Sequence, residues 1–418
     1  MMTSAAASAA RWCAPWLALL VLLLTSCATW QQPSDVSDAP LRARAVTASS
    51  RGVEVSAAVL GPADSLRMFG ADINAQGVQP VWIEVRNSTP NALWLLRSGT
   101  DPDYFSPHEV AWSVHGFLGR STNEQIDEHF DRLAFANPIR PGQTSRGMLY
   151  TNPQPAIKLL NVDLFGHKRL IPFSLLLDVP GDQNFRVVQR RLASRDYRAT
   201  DYAEERSLRA ALERLPHCTS AADGTACGEP LNLVLIGKLE DIGSAISRRG
   251  YRLDVREADQ ARHVFGRPPD YVARKRAQAN ASAVWIRAWR APVSFKGEPV
   301  FVAQVGRPVG GRFAPDNSAG SHLHGDVDEV RNLFIQSSMY SGGLAAVGFL
   351  PSVDAVSRTR PRVLADGESY HTDGVRAVLF FSTRPLALSD VKFLDWEPFL
   401  ERIETDAKTR LPNDEAPK

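Results

Sequence analysis

The chain has 418 residues, 44% of them hydrophobic and 22% charged, with a net charge of +2. That is ordinary globular usage, so a disordered or fibrous chain is excluded as the main reading. So small a net charge gives no electrostatic case for a nucleic-acid partner or for strong attraction to anionic lipid, and the length calls for more than one typical domain.

Arg11 precedes an apolar run from Ala14 to Leu24. A transmembrane anchor is the plain alternative, but a span needs roughly 20 apolar residues, so the run reads as a secretory signal. It closes on Leu24-Thr25-Ser26-Cys27, which resembles the lipobox of bacterial lipoproteins. The resemblance implies that residues 1–26 are a lipoprotein signal peptide and that Cys27 takes lipid on sulfur as the mature N-terminus. Ala28 stands where an Asp would signal retention in the inner membrane, which implies the outer membrane. One acyl chain holds a membrane only marginally, so stable anchoring needs the several chains such lipoproteins carry. The expectation is an exported, membrane-anchored protein whose body lies in an aqueous, oxidising compartment. Residues 27–42 are rich in Gln, Ser, Pro and Asp and predict a flexible lipid-proximal linker.

Residues 43–182 read as an all-β, sandwich-like domain. Val53 to Leu60 is a strand ended by the Gly61-Pro62 breaker. Val81, Ile83 and Val85 alternate with Trp82, Glu84 and Arg86, the period of a half-buried strand. Ala92 to Leu96 returns after the turn at Asn87–Asn91, and further strands are expected at Gly147–Tyr150, Leu159–Phe165 and Phe173–Val179. One helix interrupts them, with Ile126, Phe130 and Leu133 on one face. The Trp and Tyr residues read as core, with a ligand platform as the alternative.

Residues 183–228 connect the halves through a helix carrying Leu208, Leu212 and Leu215, ended by Pro216. Cys13 leaves with the signal, so Cys218 and Cys227 remain, flanking Asp223-Gly224. That turn signal predicts a disulfide across a hairpin-like loop. Half of a metal site is the rival reading, but a second Cys pair at ligand spacing is missing.

Residues 229–400 alternate strands and helices. Leu231 to Ile236 is a near-continuous apolar run, as a buried strand would be. Ile242 and Ile246 give the next segment a helical face; Val293–Phe295 and Pro299–Ala303 flank a turn at Lys296-Gly297-Glu298. A helix follows Asp326, with Val330, Leu333 and Phe334 inward, and Val375 to Ser382 is another apolar strand. The expected fold is therefore two-domain: an N-terminal all-β sandwich, then an α+β domain with helices packed on a mixed sheet. Residues 401–418 read as a polar tail.

Pro230–Gly237, Phe265–Asp270, Arg287–Pro292, Asp326–Glu329 and Thr372–Gly374 occur in the order found in the LssY C-terminal-like domain, which this region resembles over roughly residues 229–385. The family carries no established activity, so the resemblance implies a fold and a cell-envelope setting, with a link to secretion or envelope maintenance. The chain departs from the pattern at Trp285, where some relatives have His, and at His324-Gly325, where Asp-Pro is usual.

The one constellation fit for catalysis or metal binding is His322, His324, Asp326 and Asp328, with His371 and Asp373 downstream. Imidazoles and carboxylates hold zinc or another divalent ion around an activated water, with His322, His324 and Asp326 as the ligand candidates. The competing account is structural: Asp326 with Glu329 is a helix N-terminus, and Asp373-Gly374 is a turn. The sequence thus points to a lipid-anchored binding or assembly protein without a cofactor, its partners the membrane through Cys27 and an envelope protein, glycan or lipid. The alternative is a metal-dependent hydrolase acting on an envelope substrate.

Overall fold

The computed structural model describes residues 30–396, apart from 102–103, 117–119, 155, 182–183, 196, 221–226, 255–261, 276–283, 308–323 and 366. Cys27, His322 and the Asp223-Gly224 turn lie outside the described residues. The class is α+β. The described chain divides into two compact units, one of residues 30–45 and 52–153, the other of 46–51 and 154–396.

In the first unit, strand Val53–Val59 pairs antiparallel with Gln79–Asn87, which pairs antiparallel with Thr144–Thr151. Helices Pro62–Phe69 and Arg120–Leu133 bring Met68, Phe69, Ile126 and Phe130 against Ala58, Trp82, Met148 and Tyr150. Phe69 and Phe130 stack with centroids 5.0 Å apart. The all-β expectation for this half is therefore corrected to strands with helices packed on them. The first helix was hidden by its own start signal. Gly61-Pro62 reads as a strand breaker, yet Pro is favoured in a helix's first turn, and the Asp64 side chain accepts from Gly61 N at 3.2 Å to close the cap.

The expected flexible linker is also corrected over its described part. Trp30 donates from Nε1 to the Phe69 carbonyl at 2.7 Å and its ring meets the His129 ring edge-on. Leu41, in the short helix Ala39–Ala43, is fully buried. Arg67 donates to Ser37 O at 2.6 Å and Arg42 pairs with Glu84 at 2.6 Å. Polar composition masked two apolar anchors in a segment of otherwise solvated residues.

The second unit begins with an antiparallel hairpin, Ile157–Gly166 with Arg169–Asp178. The hairpin lies in the second unit, although the expected first domain runs to residue 182. The main sheet runs in the order Tyr251–Leu253, Tyr271–Lys275, Val284–Phe295, Glu298–Gly306, Leu233–Ile236, Arg376–Phe381, Leu344–Leu350, Lys392–Phe393, with Thr200–Tyr202 beside Val284–Phe295. It is mixed: Leu233–Ile236 runs antiparallel to Glu298–Gly306 and parallel to Arg376–Phe381.

That central strand is apolar at every position because both its faces are covered. Leu233 and Leu235 meet Ile242, Ile246, Val330 and Phe334 of helices Leu239–Arg248 and Val327–Met339. Val234 and Ile236 meet Leu208 and Leu212 of helix Glu205–Glu213 on the opposite face. Arg376, 0% exposed, ties that helix to the sheet by donating to Leu231 O at 2.8 Å, Leu212 O at 3.2 Å and Pro216 O at 2.5 Å. Burial brings its guanidinium down to about 10.

Cys218 and Cys227 form a disulfide, with Cα atoms 5.6 Å apart. They lie on the short antiparallel pair Cys218–Ser220 and Cys227–Pro230, the hairpin-like arrangement that the spacing suggested.

Candidate functional site

The His/Asp constellation gathers at the N-terminus of helix Val327–Met339. Asp326 is its N-cap: the side chain accepts from Glu329 N at 3.0 Å, which satisfies one of the amides that a helix start leaves open. A backbone bond from His371 N to Gly325 O, 2.9 Å, lays the segment 371–375 beside this end. Thr372 Oγ1 then donates to Asp328 at 2.8 Å, and Asp373 N donates to the same carboxylate at 2.6 Å. Gly374 turns the chain with φ +82°; a Cβ there would stand 2.8 Å from Val353 O, so glycine is required.

The residue that organises the cluster is Arg331, one turn into the helix and 0% exposed. Its Nη1 and Nη2 reach the two oxygens of Asp373 at 3.0 Å each, a planar fork on a carboxylate. Nη1 also donates to Val375 O at 2.5 Å and lies 3.3 Å from Asp328. Burial pushes the Asp328 carboxyl up from its ordinary range, Arg331 pulls it down, and the neighbouring Asp373 charge pushes it up again. One cation therefore serves two carboxylates.

The histidines stand apart from this core. His324 Nδ1 accepts from Asp326 N at 3.2 Å, and its Nε2 lies 3.6 Å from Glu329. His371 Nε2 lies 3.5 Å from Asp326 Oδ2. Asp326, Asp328, His371, Asp373 and His324 are thus neighbours, as the sequence suggested. Yet Asp328 and Asp373 face Arg331, Asp326 caps the helix, and each imidazole sits on its own carboxylate. Among the described residues, no three donor atoms of this cluster lie within 4.8 Å of one another. The arrangement fastens a helix to a loop and holds its charges in pairs. Sequence reading missed Arg331. Its one available signal was the i, i+3 spacing from Asp328, which puts the two on the same helix face.

A second candidate lies wholly within the first unit. A groove of about 650 Å³ is lined by Trp94, Leu96, Tyr104, Arg97, Asp131 and Asn137 among others. Trp94 is 53% exposed, while Leu95 and Phe135 beneath it are buried. Asn137 holds the rim by imitating a strand, accepting from Leu95 N and donating to Leu95 O at 3.0 Å each. Arg97 Nη2 donates to Phe135 O at 2.5 Å. Apolar ring faces beside amide, guanidinium and carboxylate groups suit a ligand with both a hydrophobic face and hydroxyls. Trp82 and Tyr150 are core, as expected of the aromatics here; Trp94 and Tyr104 are not.

Searches against protein-family models and against curated proteins find no match to this chain.

Proposed function

We propose that this protein is a lipid-anchored, two-domain binding protein of the bacterial envelope. In this reading lipid on Cys27 tethers it to the outer membrane, and the second domain is of the LssY C-terminal-like kind. The observation that carries binding over hydrolysis is Arg331: a buried cation between Asp328 and Asp373 opposes any metal ion at those carboxylates. Among the described residues, the hydrolase reading is left with His324, Asp326 and His371.

The groove around Trp94 is the binding surface of this proposal, and an envelope glycan is its ligand class. Exposed indole and phenol rings offer faces for the C–H side of a sugar, and Asn137, Arg97 and Asp131 surround them. Docking of Trp30 supports a close tether. Two residues, Ala28 and Thr29, lie between Cys27 and Trp30, a reach of at most roughly 11 Å, so the first unit is held near the headgroups.

Elemental analysis of full-length protein purified without a His tag and without reductant tests the choice. The binding reading expects no stoichiometric metal; about one metal per chain, lost in the His322→Ala/His324→Ala double variant, establishes the hydrolase instead. Titration with cell-wall and lipopolysaccharide oligosaccharides, read by tryptophan fluorescence, tests the groove. Binding should be lost in Trp94→Ala, and undiminished binding in that variant excludes the groove.

A further inference from the structure

His217 immediately precedes the disulfide hairpin. Its ligand nitrogen and the sulfurs of Cys218 and Cys227 all lie within 4.8 Å of one another. Among the described residues, no other set of three His, Cys, Asp or Glu donors is this close. The backbone beneath them is fixed from several sides. His217 O accepts from Leu231 N at 2.9 Å, and Pro216 O accepts from the buried Arg376 at 2.5 Å. Ser220 exchanges backbone bonds with His263 at 2.8 and 2.9 Å. Asp354 Oδ2 lies 3.4 Å from His217 Nε2. An imidazole held by a carboxylate through one nitrogen presents the other to a metal.

We propose that reduction of the Cys218–Cys227 bond converts this corner into a zinc site, with His217 and two thiolates as ligands. In the disulfide form neither sulfur is a thiolate donor, so the site exists only in the reduced protein. A dithiol opens the bond by exchange: its own two sulfurs become a disulfide, and Cys218 and Cys227 each gain a hydrogen. Zinc(II) then displaces the two thiol protons to solvent, without redox change at the metal. Two thiolates on one zinc stand about 3.8 Å apart, a separation the strand ends reach by parting slightly. Two sulfurs and an imidazole select zinc over calcium or magnesium. Arg362 opposes the ion. Its Nη1 lies 3.4 Å from Cys227 Sγ and its Nη2 3.6 Å from Asp354, so zinc must turn it onto Asp354 alone.

The test uses the full chain in detergent, reduced under argon with a water-soluble phosphine. The phosphine takes oxygen from water, ends as its oxide and leaves two thiols. Equilibrium dialysis against zinc, followed by elemental analysis, should find one zinc per reduced chain and none on the oxidised chain. Cobalt in its place should show the sulfur-to-metal charge-transfer absorption of a tetrahedral thiolate site. His217→Ala keeps the disulfide, so its fold is checked oxidised, and on reduction it should bind at least about tenfold more weakly. Arg362→Ala should bind more tightly. No uptake by the reduced chain at micromolar free zinc overturns the proposal, as does uptake that His217→Ala leaves unchanged. If reduction unfolds the chain, recovery on adding zinc supports the site, and failure to recover overturns it.

Discussion

Arg331 shows how one side chain can decide what a cluster of chemically capable residues does. Its charge is wholly buried, and among its partners are Asp328 and Asp373, two of the carboxylates that made the sequence look catalytic. Removing one partner of a buried pair leaves an uncompensated charge, so Arg331→Ala should cost about 3–5 kcal/mol in urea unfolding. Adding Asp373→Asn should recover part of that loss, which a double-mutant cycle would measure. His129 gives a second test at this scale. It is 2% exposed, and its Nε2–H donates to Met68 O at 2.8 Å. Burial holds its imidazole below the ordinary value of 6.5, the Met68 carbonyl pulls it up, and Arg132 pushes it down. Between the folded and unfolded values the unfolded chain binds more protons, so this contribution is full above about pH 6.5 and is lost as pH falls through the lower, folded value. The melting temperature should drop from pH 7 to pH 5, and the drop should shrink in His129→Gln. An unchanged pH profile in that variant contradicts the assignment.

Elements were legible where one face of a regular pattern was buried. The strand at residue 233 and the helix with Ile126 and Phe130 stand as read, because burial imposed their periods. The helix after Asp326 also forms, with Val330 and Phe334 buried, but Leu333, expected inward, is 42% exposed. Helix Pro62–Phe69 was not, because Gly61-Pro62 marks a strand end and a helix start with the same letters. The packed segment at 30–42 was missed because two apolar residues hold it while its composition is that of a linker. In the candidate site, the sequence located the carboxylates by type and spacing. It did not locate their cation, because an arginine inside a helix carries no mark of burial until the fold closes over it. Two predictions belong here. Asp326→Ala removes the cap bond to Glu329 N and should cost about 1 kcal/mol. Cys218→Ser opens a loop with a sequence separation of 9 and should cost about 2–3 kcal/mol, largely through the freer unfolded chain. Mass spectrometry of unreduced wild-type protein should find the two cysteine peptides linked.

For the whole molecule, the proposal joins a membrane tether to a binding surface in the unit that the tether reaches first. Trp30 leaves little slack, since only Ala28 and Thr29 bridge it to Cys27. Lengthening that bridge with a Gly/Ser insert should keep the protein on the membrane while exposing the chain between residues 27 and 30 to added protease. Everything about location depends on Cys27 as a lipid acceptor, so labelled fatty-acid incorporation into wild-type and Cys27→Ser proteins is the most direct measurement. The account predicts label on the wild-type chain and none on Cys27→Ser, with the variant released from the membrane fraction. Equal labelling of the two, or a wild-type chain that takes no label, would contradict it.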